Sequence, residues 1–100
     1  MRSLKLVNYG SNFLFIDGFE KVLNSLIEEV ENEKFLKINF EGVVNISPSY
    51  MTRLIHGIIV NTNPKEITIE NANDRIESTF KFALHSINKL KDSKHFSSIY

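Results

Sequence analysis

Three hydroxyl-bearing side chains, Ser47, Ser49 and Tyr50, crowd one short stretch, with the cation Arg53 just beyond them. Pro48 follows Ser47 directly. That pair predicts an abrupt helix start, because a serine hydroxyl accepts from an unpaired backbone N–H while proline at the first helical position loses no needed donor. A phosphate on a serine there would meet unpaired N–H groups and the positive end of the helix dipole. Ser49, and after it Ser47, are therefore the candidate phosphorylation sites. The plainer account is that Ser47 only caps the helix and Ser49 is an exposed first-turn residue. Tyr50 and Arg53 would add an aromatic anchor and a cation, two types enriched in interface hot spots.

Elsewhere the residues carry little chemistry. His56 and His85 fall on different expected helices and His95 near the end of the chain, and no pair has the spacing of a helical metal site. Glu41 beside Gly42 is a carboxylate at a strand end with no second titratable group implied nearby, and reads as turn chemistry. A Gly-rich phosphate loop, a G-x-S-x-G elbow and a His-Glu-x-x-His motif are all missing from the sequence. The expectation is a non-catalytic chain with no metal and no cofactor.

The 100 residues suit one domain over 1–100 with a single core. Twelve Lys and Arg balance twelve Asp and Glu, so no net field draws the chain to nucleic acid or an acidic membrane. There is no cysteine, which fits a reducing compartment. No apolar run approaches the roughly 20 residues of a membrane span, and the N-terminal run is too short for a signal peptide. Cytoplasmic location is the expectation.

The elements that must position the serine-rich helix start can be read in order. Leu4–Val7 predicts a strand, residues 8–12 a turn, and the continuously apolar Phe13–Ile16 an interior second strand, together a hairpin. Asp17 with Glu20 predicts a capping box, and Phe19, Val22, Leu23, Leu26, Ile27 and Val30 keep helical spacing behind it. Phe35–Phe40 predicts a strand, interrupted at Glu41-Gly42 and resumed over Val43–Ile46. A strand, a helix and a strand in sequence make a parallel pair, so the sheet is expected to be mixed. Met51, Leu54, Ile55, Ile58 and Ile59 mark the inner face of the second helix, with Gly57 expected to lie close against the sheet. Glu66–Glu70 alternates as a strand near the sheet edge. Asp74 with Glu77 predicts a second capping box, and Ile76, Phe80, Ala83, Leu84, Ile87 and Leu90 a third helix. Residues 93–100 have no periodicity and read as a tail, or as a segment whose Phe96, Ile99 and Tyr100 tuck onto the core or a neighbour.

The expected fold is thus α/β: one mixed four-stranded sheet with three helices in the order β-β-α-β-α-β-α. That order, with Asn39-Phe40-Glu41-Gly42-Val43, then Ile46-Ser47-Pro48-Ser49-Tyr50, and later Ile67-Thr68-Ile69-Glu70-Asn71, resembles the STAS-like DUF4325 family, which is related to the STAS domains of bacterial anti-sigma factor antagonists. The resemblance runs from about Phe13 to Ile87. It implies a STAS-like domain that regulates a protein partner, often a histidine-kinase-like ATPase or a sensory regulator. This chain departs from the family pattern in having Asn39 for an aspartate, Tyr50 for a phenylalanine and Arg53 for an acidic residue. Pro48 stands where the antagonists carry the phosphorylated serine, so the resemblance does not hand on that switch.

The helix start at Ser47 and the loop over Asn71 to Asp74 are both expected at the carboxyl ends of parallel strands, the edge where open α/β sheets bind. The candidate partner-binding residues are therefore Ser47, Ser49, Tyr50, Arg53, Asn71 and Asn73. Two rival readings remain: a small-molecule or nucleotide sensor using the same edge, and self-association through Phe82, Phe96, Ile99 and Tyr100. The latter would make the chain a weak homodimer rather than a monomer.

Overall fold

The computed structural model describes residues 2–90 and 97–98, with side chains over 3–87. The strands are β1 (Arg2–Lys5), β2 (Asn12–Phe13), β3 (Phe35–Asn39), β4 (Asn45–Ile46), β5 (Glu66–Glu70) and β6 (Ser97–Ser98). Between them run α1 (Phe19–Val30), α2 (Pro48–Thr62) and α3 (Asp74–Leu90), and a single 3-10 turn at Leu6–Tyr9 follows β1.

Every strand pairing is parallel. The main sheet runs β1–β3–β5, with the two-residue β6 beside β5, and β2 pairs with β4 in a separate two-stranded sheet. The expected hairpin is therefore absent, and so is the single mixed sheet. β1 reaches β3 through α1, as Leu4 stands opposite Ile38, and β3 reaches β5 through α2, as Ile38 stands opposite Ile69. The hairpin expectation fails because Leu6–Tyr9 coils into a 3-10 turn instead of reversing the strand, and only Asn12 and Phe13 remain extended after it.

Parity along the strands makes the core. Leu4, Leu36, Ile38, Ile67 and Ile69 are buried, while Ser3, Lys5, Lys37, Glu66 and Glu70 alternate with them on the other face. α2 packs between α1 and α3 over the apolar face. Its buried residues Met51, Leu54, Ile55, Ile58 and Ile59 follow the spacing that defines the helix. β5 lies near the sheet edge as expected, since the two-residue β6 pairs only with its Glu66 and Ile67, but Thr68 on its expected polar face is buried, its hydroxyl donating to the Leu36 carbonyl at 3.4 Å.

Two glycines set close approaches. A Cβ on Gly57 would lie 2.7 Å from Leu23 Cδ2, so the tight contact is with α1, not with the sheet as expected. Gly42 turns the chain out of β3 with φ +85°, and a Cβ there would meet Val7 Cγ2 at 2.8 Å. The cap positions also shift. α1 starts after Gly18 with no side-chain cap, and Asn73 Oδ1, rather than Asp74, accepts from the Ile76 N–H at 2.8 Å. The reading of 93–100 as an aperiodic tail changes at Ser97–Ser98, which pair with β5; Phe96, Ile99 and Tyr100 lie outside the described residues.

Candidate functional site

The small β2–β4 sheet positions the serine-rich helix start. Asn12 stands opposite Asn45 and Phe13 opposite Ile46. The Val44 N–H donates to the Ser11 carbonyl at 2.7 Å and the Ser47 N–H to the Phe13 carbonyl at 2.9 Å. The start of α2 is therefore tied by backbone bonds to the segment leading into α1. Ser47 is the cap, its Oγ accepting from the Tyr50 N–H at 3.1 Å, and Pro48 opens the helix as the sequence predicts.

Tyr50 sits elsewhere than expected. It is 3 % exposed, with ring centroids 5.2 Å from both Phe13 and Phe19. The ring is a core side chain beneath the helix start and not an exposed anchor. Burial pushes its hydroxyl above the usual tyrosine range. Position alone foretold this, since Tyr50 precedes Leu54 by four residues and shares its buried face.

The exposed aromatics come instead from two flanking elements. Past Phe13, the chain leaves the sheet and runs over the surface as Leu14, Phe15 and Ile16, which are 47 %, 78 % and 46 % exposed. The expected interior strand is a projecting apolar loop, closed by the Phe19 N–H donating to the Ile16 carbonyl at 2.9 Å. On the other side, Phe82 of α3 is 59 % exposed. Single exposed apolar residues are ordinary, but three in succession beside a helix start, with a further aromatic across it, form an apolar surface.

Two open, shallow grooves cross this surface and share Arg53. One, of about 500 Å³, runs along residues 16–21 to Arg53. The other, of about 310 Å³, is walled by Pro48, Ser49, Thr52, Arg53, Phe82 and Ser86. Arg53 is exposed and has no ion pair among the described residues. Ser49 is exposed four residues before it, with its hydroxyl unbonded among the described residues.

Ser47, Ser49 and Arg53 thus come together, whereas the two asparagines serve another corner. Asn39 Oδ1 accepts from the Glu41 N–H at 2.9 Å and from Asn71 Nδ2 at 3.1 Å, clamping the ends of β3 and β5. Asn73 is spent on capping α3. Neither Asn71 nor Asn73 lines either groove. His56 and His85 are exposed, and His95 lies outside the described residues. Among the described residues no three His, Asp or Glu side chains gather as a metal set, and no helix is long and apolar enough to cross a membrane.

Sequence reasoning missed Leu14, Phe15, Ile16 and Thr52 as surface residues. The only available signal was the unbroken apolar run before Asp17, which reads alike for a buried strand and an exposed loop. Comparison with family models, with curated proteins and with solved structures gives no match.

Proposed function

We propose that this chain is a non-catalytic regulatory domain of the STAS-like kind, binding a protein partner where the Leu14–Ile16 loop, the first turns of α2 and Phe82 meet. The observation that carries the reading is the exposure of Phe15, with Leu14 and Ile16 beside it, against a helix start bonded to the same small sheet. Keeping an apolar loop hydrated is unfavourable, and burial against a partner's surface removes that cost. The sequence resemblance adds the kind of partner, a histidine-kinase-like ATPase or another regulator.

Phosphorylation fits the same surface at Ser49, since the Ser47 hydroxyl is engaged as a cap. A phosphate on Ser49 would stand one turn from Arg53 on the same helix face. A tagged pull-down from the source cells, with mass spectrometry of the co-purifying proteins and of the peptide spanning Ser47 and Ser49, tests both parts. The wild-type chain should retain a regulator that the Phe15→Ser and Phe82→Ser variants lose while staying folded. Equal retention by both variants would remove this surface from consideration.

The rival reading, a small-molecule or nucleotide sensor, has grooves of suitable volume at this edge. Their open shape weighs against it, because small ligands are held in sites that cover most of their surface. Ligand-dependent stabilisation in a thermal-shift screen would favour it.

A further inference from the structure

Arg53 lines both grooves. It stands in the second turn of α2, toward the end where the dipole favours anions, and has no ion pair among the described residues. Asp17 and Glu20, which line one of these grooves with Arg53, flank the start of α1, where Glu20 suits that helix's own dipole. Among the described residues the groove on the other side is lined by no acidic side chain, but by the hydroxyl-bearing Ser49, Thr52 and Ser86 with Pro48 and Phe82. Its described lining thus combines one cation, two apolar faces and three hydroxyls.

We infer that the groove between α2 and α3 takes an amphipathic segment of a partner protein, whose carboxylate pairs with Arg53 while an adjacent apolar side chain covers Phe82. The inference rests on the proposed protein-binding role and specifies the chemistry of the segment bound. A guanidinium offers a carboxylate two parallel N–H bonds, and the two hydroxyls of α2 beside it, Ser49 and Thr52, can satisfy remaining oxygen lone pairs. The groove volume of about 310 Å³ has room for one large apolar side chain next to that pair. Charge decides the occupant. A second copy of this chain would bring an equal Arg53 toward the same area under a two-fold arrangement, and the described lining of this groove offers an acidic membrane a single cation, Arg53. Phosphate on Ser49 would occupy Arg53 from within the chain and so compete with the partner's carboxylate.

The test is a random peptide display library selected on the full-length chain and, in parallel, on Arg53→Glu, Phe82→Ser and Phe15→Ser. Wild type should enrich peptides with Asp or Glu next to a Leu, Ile or Phe, and their affinity should fall at least tenfold on Arg53→Glu. Arg53→Glu should in turn select Lys or Arg at the acidic position, a charge swap that misfolding cannot mimic. Peptides that lose affinity on Phe15→Ser and Phe82→Ser but bind Arg53→Glu equally well would overturn the acidic-segment inference and leave the interaction surface standing. Peptides indifferent to all three variants, or no enrichment at all, would overturn both. Concentration-dependent dimers in sedimentation that Phe82→Ser dissolves would also overturn it, by giving the groove to a second copy.

Discussion

Replacing Tyr50 by alanine separates a buried support from a contact residue. The ring is 3 % exposed and stands against two other rings at 5.2 Å, one tilted and one edge-on. Truncating a buried aromatic to alanine costs about 3–5 kcal/mol, and aromatic pairs contribute roughly 0.5–1.5 kcal/mol each within that sum. With two such pairs lost, the upper half of the range applies, about 4 kcal/mol. Domains of this size are stable by about 5–15 kcal/mol, so the variant should remain folded in water only narrowly. With a urea slope near 1.5 kcal/mol per molar, the unfolding midpoint should drop by roughly 2–3 M. Tyr50→Phe is the control. The hydroxyl makes no hydrogen bond to a described residue, so Tyr50→Phe should stay within about 0.5 kcal/mol of wild type. Far-ultraviolet circular dichroism in urea measures both. A Tyr50→Ala midpoint within about 0.5 M of wild type would refute the placement of the ring, and lost partner binding on that stable background would move Tyr50 to the surface.

Ser47→Ala should cost about 1 kcal/mol in the same urea assay, because the Tyr50 N–H loses its acceptor, while Ser47→Asp should cost little. Asn39→Ala strips two donors, the Glu41 N–H and Asn71 Nδ2, of their shared acceptor and should cost about 1–3 kcal/mol; Asn39→Asp keeps an oxygen there and should cost less. Gly57→Ala gains about 1 kcal/mol of helix propensity but overpacks Leu23 at a cost of about 1–3 kcal/mol, so it should be neutral to destabilising. In a Leu23→Ala background the same change should be stabilising, and a thermal-melt double-mutant cycle reads the reversal. Burial raises the hydroxyl of Tyr50, and burial with the hydrogen bond to Glu29 raises that of Tyr9. The folded state then keeps protons that the unfolded state releases, so this stabilisation is whole below about pH 10 and is lost as pH climbs through the folded-state values. Urea titrations above pH 10 should show a shallower decline for Tyr9→Phe with Tyr50→Phe than for wild type.

The three helices were legible because each carries a period that only a helix satisfies, as in Leu54, Ile55, Ile58 and Ile59. β3 and β5 were legible from alternation and flanking turns. Pairing was not, because no feature of Asn12 or Phe13 names Asn45 and Ile46 as neighbours across more than thirty residues. The caps were misread by one residue for a related reason: Asp17 and Asp74 are good caps by type, but Gly18 and Asn73 hold the backbone geometry. At the site, Ser47 and Arg53 could be named from type and position. Phe15 could not be told from a core residue, because hydrophobicity does not record which side of the chain faces water.

The bonds from Val44 to Ser11 and from Ser47 to Phe13 give the projecting loop and the α2 start a common frame. Phe13 and Ile46 of that frame are buried in the same core as Leu4, Ile38 and Ile69, so the loop and the α2 start are anchored together on the main sheet. A partner seated on Phe15 would therefore stand two residues from the Phe13 carbonyl that holds the first turn of α2. Those same amides, at Val44 and Ser47, are the natural reporters of occupancy, since their hydrogen exchange should slow whenever anything presses on either half of the surface.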